Sequence, residues 1–159
     1  MKAKEQLAFL DDLDWAILGI LQENSRQTYT EIGRRLNLAH STVYERIKKM
    51  EQHGIIKKYT TVINPTKAGV KLLTAILTIF TDPKESDKVA EKLAENSQVL
   101  EVFTSLSEEL LIIAKITAED QEKLHAFIAQ FVAPLPGVLR IRTSIITRKY
   151  KEEAFSFRV

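Results

Sequence analysis

Residues 28–54 read TYTEIGRRLNLAHSTVYERIKKMEQHG, and two helical periods fit into that stretch with a short break between them. Ile32 and Leu36 lie one turn apart, Asn37 and Leu38 interrupt the pattern, and Val43, Ile47 and Met50 restore it. The spacing predicts a short helix over residues 30–37, a tight turn, and a second helix from His40 to His53. Gly54 would end the second helix, as glycine does just past a helix terminus. Two short helices joined by a tight turn, the second polar and basic, describe a helix-turn-helix. Its second helix fits the DNA major groove, because that groove is about as wide as a helix.

The residues at the N-terminal end of such a helix reach base edges. Here they are His40, Ser41, Thr42, Tyr44 and Glu45. Hydroxyls can meet several bases, and a glutamate can accept from cytosine. Arg46 and Lys49, further along, are placed to hold base or phosphate. Arg34 and Arg35 before the turn, and Lys57 and Lys58 after Gly54, are expected to touch phosphates, which position a protein without specifying sequence. Three structural alternatives stand beside these. Tyr44 can be packing, Arg46 can pair with a carboxylate of its own domain, and Glu45 with Lys49 can be a helix-stabilising i,i+4 pair.

Working outward, Leu13, Ile17, Ile20 and Leu21 mark a preceding helix that begins near Asp12. Asp11, Asp12 and Asp14 at its start cap free amides and suit the positive end of the helix dipole. Beyond Gly54, residues 55–63 alternate and are β-branched, so they read as a strand. Asn64, Pro65 and Gly69 mark a boundary. The second half then repeats a strand-helix-strand rhythm: strands over 72–81, 99–105, 110–116 and 138–147, helices over 84–95 and 118–132, with a turn at Ser107 and Glu108. The order βαββαβ gives an antiparallel sheet with helices on one face. The fold class expected is α+β, a helix-turn-helix domain followed by a βαββαβ ferredoxin-like domain. Phe155, Phe157 and Val159 alternate and are read as an added edge strand.

Charge supports a nucleic-acid reading only locally. The chain of 159 residues is 45% apolar and 28% charged with a net charge of +2. Yet Arg34, Arg35, Arg46, Lys48, Lys49, Lys57 and Lys58 fall in one short stretch, opposed by Glu45 and Glu51 alone. That is the electrostatic footprint of a DNA-binding surface. Several classes are excluded. Without cysteine there is no disulfide, no thiolate nucleophile and no cysteine-held metal. The longest apolar run, Leu72 to Phe80, is far short of the roughly 20 residues a membrane helix needs. The first ten residues carry Lys2, Lys4 and Glu5 and do not read as a secretory leader, so a cytoplasmic protein is expected. No nucleophile-base-orienter set, phosphate loop or metal spacing appears, and an enzyme is not expected. His40, His53 and His125 lack the carboxylate-histidine surroundings of a metal site, and neither metal nor cofactor is expected.

The chain resembles the Lrp/AsnC (feast/famine) family of transcriptional regulators along nearly its whole length. Leu10, Asp11, Asp14, Ile17, Leu18 and Leu21 stand in the family's opening pattern, and Asn24-Ser25-Arg26 is similar to its Asn-Ala-Arg. The recognition helix and its exit read Ser41-Thr42-Val43, Arg46-Ile47, Gly54-Ile55-Ile56 and Tyr59, close to the family's version. Asn64-Pro65, Gly69, Leu135-Pro136-Gly137-Val138 and Thr143 continue the resemblance. It implies a helix-turn-helix domain over 1–54, a β-strand linker over 55–70 and an effector-binding and oligomerisation domain over 71–159. It also implies a homodimer through the C-terminal sheets, assembled further into octamers, and an amino-acid effector bound between effector domains.

Two positions depart from the family pattern. Ala39 stands where a serine usually opens the recognition helix. Ser105, Leu106, Ser107, Glu108 and Glu109 occupy the loop that usually reads Gly-x-Tyr-Asp and helps hold the effector. The function expected is a sequence-specific DNA-binding regulator on a palindromic operator, modulated by an amino acid or related small molecule. The alternative is an architectural or regulatory DNA-binding protein of the same fold that ignores small molecules.

Overall fold

The computed structural model describes residues 10–106 and 110–151. The chain divides between Val62 and Ile63 into two compact units.

The first unit holds three helices: α1 (Asp12–Glu23), α2 (Tyr29–Leu36) and α3 (His40–Gln52). The first two starts have a local chemical cause. Asp11 accepts from the Asp14 N–H at 2.9 Å, and Asp14 accepts in return from the Asp11 N–H at 3.2 Å. Thr28 and Glu31 form the same reciprocal box at the start of α2, so two orphan amides are satisfied at each end. Asn37, in the left-handed region at φ 55°, stops α2. The turn is then drawn in tightly, because the Leu38 N–H donates to the Gly33 carbonyl at 2.8 Å. A Cβ on Gly33 would lie 2.5 Å from the Leu38 oxygen, so only glycine admits this approach. Gly54, at φ +69°, ends α3. The helices bury Ile17, Leu18, Ile20, Ile32, Val43, Ile47 and Met50 as one core.

The strand expected over 55–63 is not there. Residues 57–64 form no regular element, and Val62 and Ile63 are 82% and 69% exposed. A strand needs a neighbour for its N–H and C=O groups, and among the described residues no strand pairs with this segment. Turns at residues 65–69 follow, where Asn64 Oδ1 accepts from the Lys67 N–H.

The second unit runs β1 (Leu73–Thr81), α4 (Ser86–Ala94), β2 (Val99–Leu106), β3 (Leu110–Ala118), α5 (Gln121–Phe127), a π-helical turn (Ile128–Val132) and β4 (Val138–Ile145). The sheet order is β2-β3-β1-β4 with every neighbouring pair antiparallel, the expected βαββαβ arrangement. Alternation decides the faces. Ala75, Leu77 and Ile79 of β1 and Ile112, Ala114 and Ile116 of β3 pack with Val89, Leu93, Leu124, Phe127 and Val132 of the helices. Ile76, Phe80 and Ile113 on the opposite face stay half-buried and Phe103 exposed, with the Arg140 guanidinium 3.9 Å above the Phe80 ring.

The second helix of this unit differs from the expected span of 118–132. Ala118 continues β3, paired with Leu73, and the helix begins only after Asp120, which accepts from the Lys123 N–H. Its last turn loosens to π spacing, with the Ala133 N–H reaching the Ile128 carbonyl at 2.8 Å. Val132 in that turn is fully buried, and Phe127 and Phe131 are in contact at 5.2 Å. Among the described residues, no helix is long and apolar enough to cross a membrane.

Candidate nucleic-acid interface

The helix α3 buries Val43, Ile47 and Met50 at i, i+4 and i+7, and this determines which side chains are left to solvent. His40, Ser41, Thr42, Tyr44, Glu45, Lys48 and Lys49 are exposed. The helix starts at His40 as expected, and Ala39 before it is extended (φ −64°, ψ 145°) with no side chain capping the first amides. The N-terminal end of the helix therefore presents free N–H groups beside the Ser41 and Thr42 hydroxyls, a favourable place for an anion. Among the described residues, no ion pair joins Glu45 to Lys49.

Tyr44 serves packing and surface at once. Its ring meets Tyr29, the first residue of α2, edge to face at 5.5 Å, and Lys48 sits 5.4 Å over its centroid. The contact ties the start of α2 to the first turns of α3 while leaving Tyr44 39% exposed.

Arg46 takes the structural alternative. Its Nη1 donates to both oxygens of Asp11 at 2.8 and 2.7 Å and to Asp14 Oδ1 at 2.8 Å. The guanidinium thus bolts the middle of α3 to the capping box of α1. Its own basicity is raised by Asp14 and Asp11. The Asp14 N–H, and after it the Arg46 guanidinium, hold the Asp11 carboxyl below its ordinary range. Arg46 is therefore placed to position α3 rather than to reach a base.

The flanking cations separate into two settings. Arg35 pairs with Glu23 at 3.2 Å across the surface, while Arg34 and Lys57 are exposed and make no ion pair among the described residues. Tyr59, absent from the expected site, donates its hydroxyl to Glu51 Oε1 at 2.8 Å, and burial first and then Glu51 push its ionisation up. It fixes the chain leaving α3, a role whose only sequence signal is the position of Tyr59 after Gly54-Ile55-Ile56. Arg26, also absent from the expected site, lies in a basic pocket beside α2. Of the residues expected to hold an effector, Ser105 and Leu106 end β2 opposite Leu111 and Leu110, and Ser107, Glu108 and Glu109 lie outside the described residues. So do Phe155, Phe157 and Val159. No group of three metal-ligating side chains occurs among the described residues.

Comparison with known proteins agrees with this arrangement. Residues 10–51 match the AsnC-type helix-turn-helix domain, and residues 74–154 match the Lrp/AsnC ligand binding domain. The chain is 38% identical to the transcriptional regulator LrpA of Pyrococcus horikoshii over 142 residues, covering 89% of this chain and 99% of that one. It is 35% identical to the transcriptional regulator FL11 of Pyrococcus furiosus, covering 90% and 93% of the two chains. The fold superposes on Escherichia coli AsnC with a TM-score of 0.81 at 21% identity, covering 92% of this chain and 97% of that one. It also superposes on a Neisseria meningitidis regulator solved with L-methionine, with a TM-score of 0.80 at 24% identity and 91% and 94% coverage.

Proposed function

The chain belongs to the Lrp/AsnC family of transcriptional regulators, DNA-binding proteins and not enzymes, and from that premise we propose that it binds a palindromic operator as a homodimer through two copies of α3. The single observation that carries this reading is the uncapped first half of α3, which exposes His40, Ser41, Thr42, Tyr44 and Glu45 on a helix whose other face is locked into the core. Ser41, Thr42 and Glu45 read base edges. His40, Lys49, Arg34, Arg35 and Lys57 add contacts around them, and Tyr44 and Arg46 hold the helix at its angle.

Self-association is supported by the face of the sheet that the helices leave open. Phe103 there is 53% exposed, and Ile76, Phe80 and Ile113 are only half-buried. A second sheet would cover these side chains, and a two-fold pair presents two recognition helices at a fixed spacing. Octamers built from such dimers are the further assembly proposed. The functional division into residues 1–54, 55–70 and 71–159 goes with this reading.

An amino acid or related small molecule would bind at residues 105–109 between effector domains and act by shifting the assembly, since a ligand favours whichever state it binds better. The Neisseria regulator solved with L-methionine supports this class of ligand. The altered loop sequence from Ser105 to Glu109 favours a second reading, a regulator of the same fold that takes no small molecule. Calorimetry with each common amino acid separates the two, and heat with none of them removes the effector. For DNA, duplexes selected from a random pool and then footprinted should show two half-sites spaced by one helical turn, about 10 base pairs, or a multiple of it. A single unpaired half-site would overturn the dimeric operator.

A further inference from the structure

An open pocket of about 400 Å³ lies beside α2, lined by Asn24, Arg26, Gln27, Glu31, Arg34 and Arg35. Three arginines line it beside one carboxylate, Glu31, which is already engaged, and Arg35 is held by Glu23 outside the lining. Glu31 accepts from the Thr28 N–H at 2.7 Å and from its hydroxyl at 2.9 Å. Glu23 holds Arg35 at 3.2 Å. Asn24 Oδ1 accepts from the Arg26 N–H at 3.0 Å, which pins the backbone of the α1–α2 loop and leaves the Arg26 side chain projecting from an ordered turn. Among the described residues, neither Arg26 nor Arg34 has a hydrogen-bonded or ion-paired partner for its guanidinium.

Two unpaired guanidinium forks beside a third, in a concave site with amide side chains, suit a tetrahedral oxyanion. Arginine meets phosphate through paired N–H donors, and its charge cannot be shed by deprotonation at neutral pH. Position identifies the source of the anion. Glu31, Arg34 and Arg35 are the exposed side chains of this part of α2, while Ile32 and Gly33 are buried. In a helix-turn-helix the first helix of the motif crosses the sugar-phosphate backbone while the second enters the groove. The outward face of α2 therefore meets phosphate when α3 is seated.

We propose that Arg26 and Arg34, with Arg35 beside them, form a seat for one DNA backbone phosphate flanking the major groove. The proposal rests on the DNA-binding reading and adds Arg26 to it. The seat anchors the motif without reading sequence, so its loss should cost selected and unrelated duplexes alike.

The test is a fluorescence-anisotropy titration of the full chain on a pool-selected duplex and on a shuffled one, over a range of salt. Arg26→Ala and Arg34→Ala should each weaken both duplexes by about five-fold at physiological salt and lower the slope of log K against log salt by about one. Arg26→Lys, which keeps the charge, should keep most of the slope. An unchanged slope in the double variant, with an unchanged unfolding midpoint, overturns the seat. A loss confined to the selected duplex overturns it too, because it makes the residues readers of sequence. Inorganic phosphate provides the remaining arm. Calorimetric binding of it to the wild type but not to the double variant, with the DNA slope unchanged, assigns the pocket to a free anion instead. Wild-type protein that binds no duplex at all contradicts the DNA reading itself, a different result from normal wild-type binding with an unaltered variant.

Discussion

Ala39 leaves the N-terminus of α3 with free amides, whereas α1 and α2 each begin in a complete capping box. The backbone at Ala39 already has the extended conformation a capping residue needs. Ala39→Ser should therefore raise stability by about 1 kcal/mol, read as a higher urea midpoint, and no change would mean that water satisfies these amides equally well. The two boxes make a prediction in pH. The Asp14 N–H, then Arg46, lower the Asp11 ionisation, and the Thr28 N–H, then the Thr28 hydroxyl, lower that of Glu31. A lowered acid contributes its full share above its ordinary value and loses it as pH falls through the lowered one. Thermal midpoints should therefore fall between about pH 5 and pH 2, and less steeply in Asp11→Asn. A curve in that variant as steep as the wild type's would show that Asp11 contributes nothing there.

At the scale of elements, the tight α2–α3 turn carries the geometry of the site. Gly33→Ala would press a methyl into the Leu38 carbonyl and should destabilise by about 1–3 kcal/mol, with DNA affinity lost in proportion to the unfolded fraction on melting. Normal stability would mean the turn relaxes without cost. The helices were legible because their information is local: Ile32 with Leu36, then Val43, Ile47 and Met50, repeat at the helical period, and Asp11, Thr28 and Gly54 mark the ends. The strand read into 55–63 failed because β-branching describes a residue's fit to a neighbouring strand, and this segment has none among the described residues. The span of α5 failed for a similar reason. Ala118 is held in β3 by pairing with Leu73, and Val132 of the π turn is buried in the core beneath the sheet, both of which are tertiary effects. At the site, the exposed face of α3 followed from periodicity. The engagement of Arg46 with Asp11 and Asp14 appeared in the sequence only as an alternative, since the partners lie 35 and 32 residues away. Arg26 was not legible as a site residue, because its importance comes from a pocket that only the folded α1–α2 loop creates.

For the whole molecule, function requires a division of labour. The N-terminal unit supplies a basic, groove-sized helix, and the C-terminal sheet supplies a partly exposed apolar face, the proposed surface for pairing two copies. In the proposed dimer, pairing would multiply the modest discrimination of one short helix, because each mismatched base pair costs about 1–3 kcal/mol and two half-sites would be read together. On the proposed function, this chain reads sequence rather than merely charge. The most direct measurement is competition at physiological salt between a pool-selected duplex and a shuffled duplex of equal length and composition. Preference for the selected duplex by about a thousand-fold or more is the result predicted. Equal affinity for both, falling steeply with salt, would contradict it.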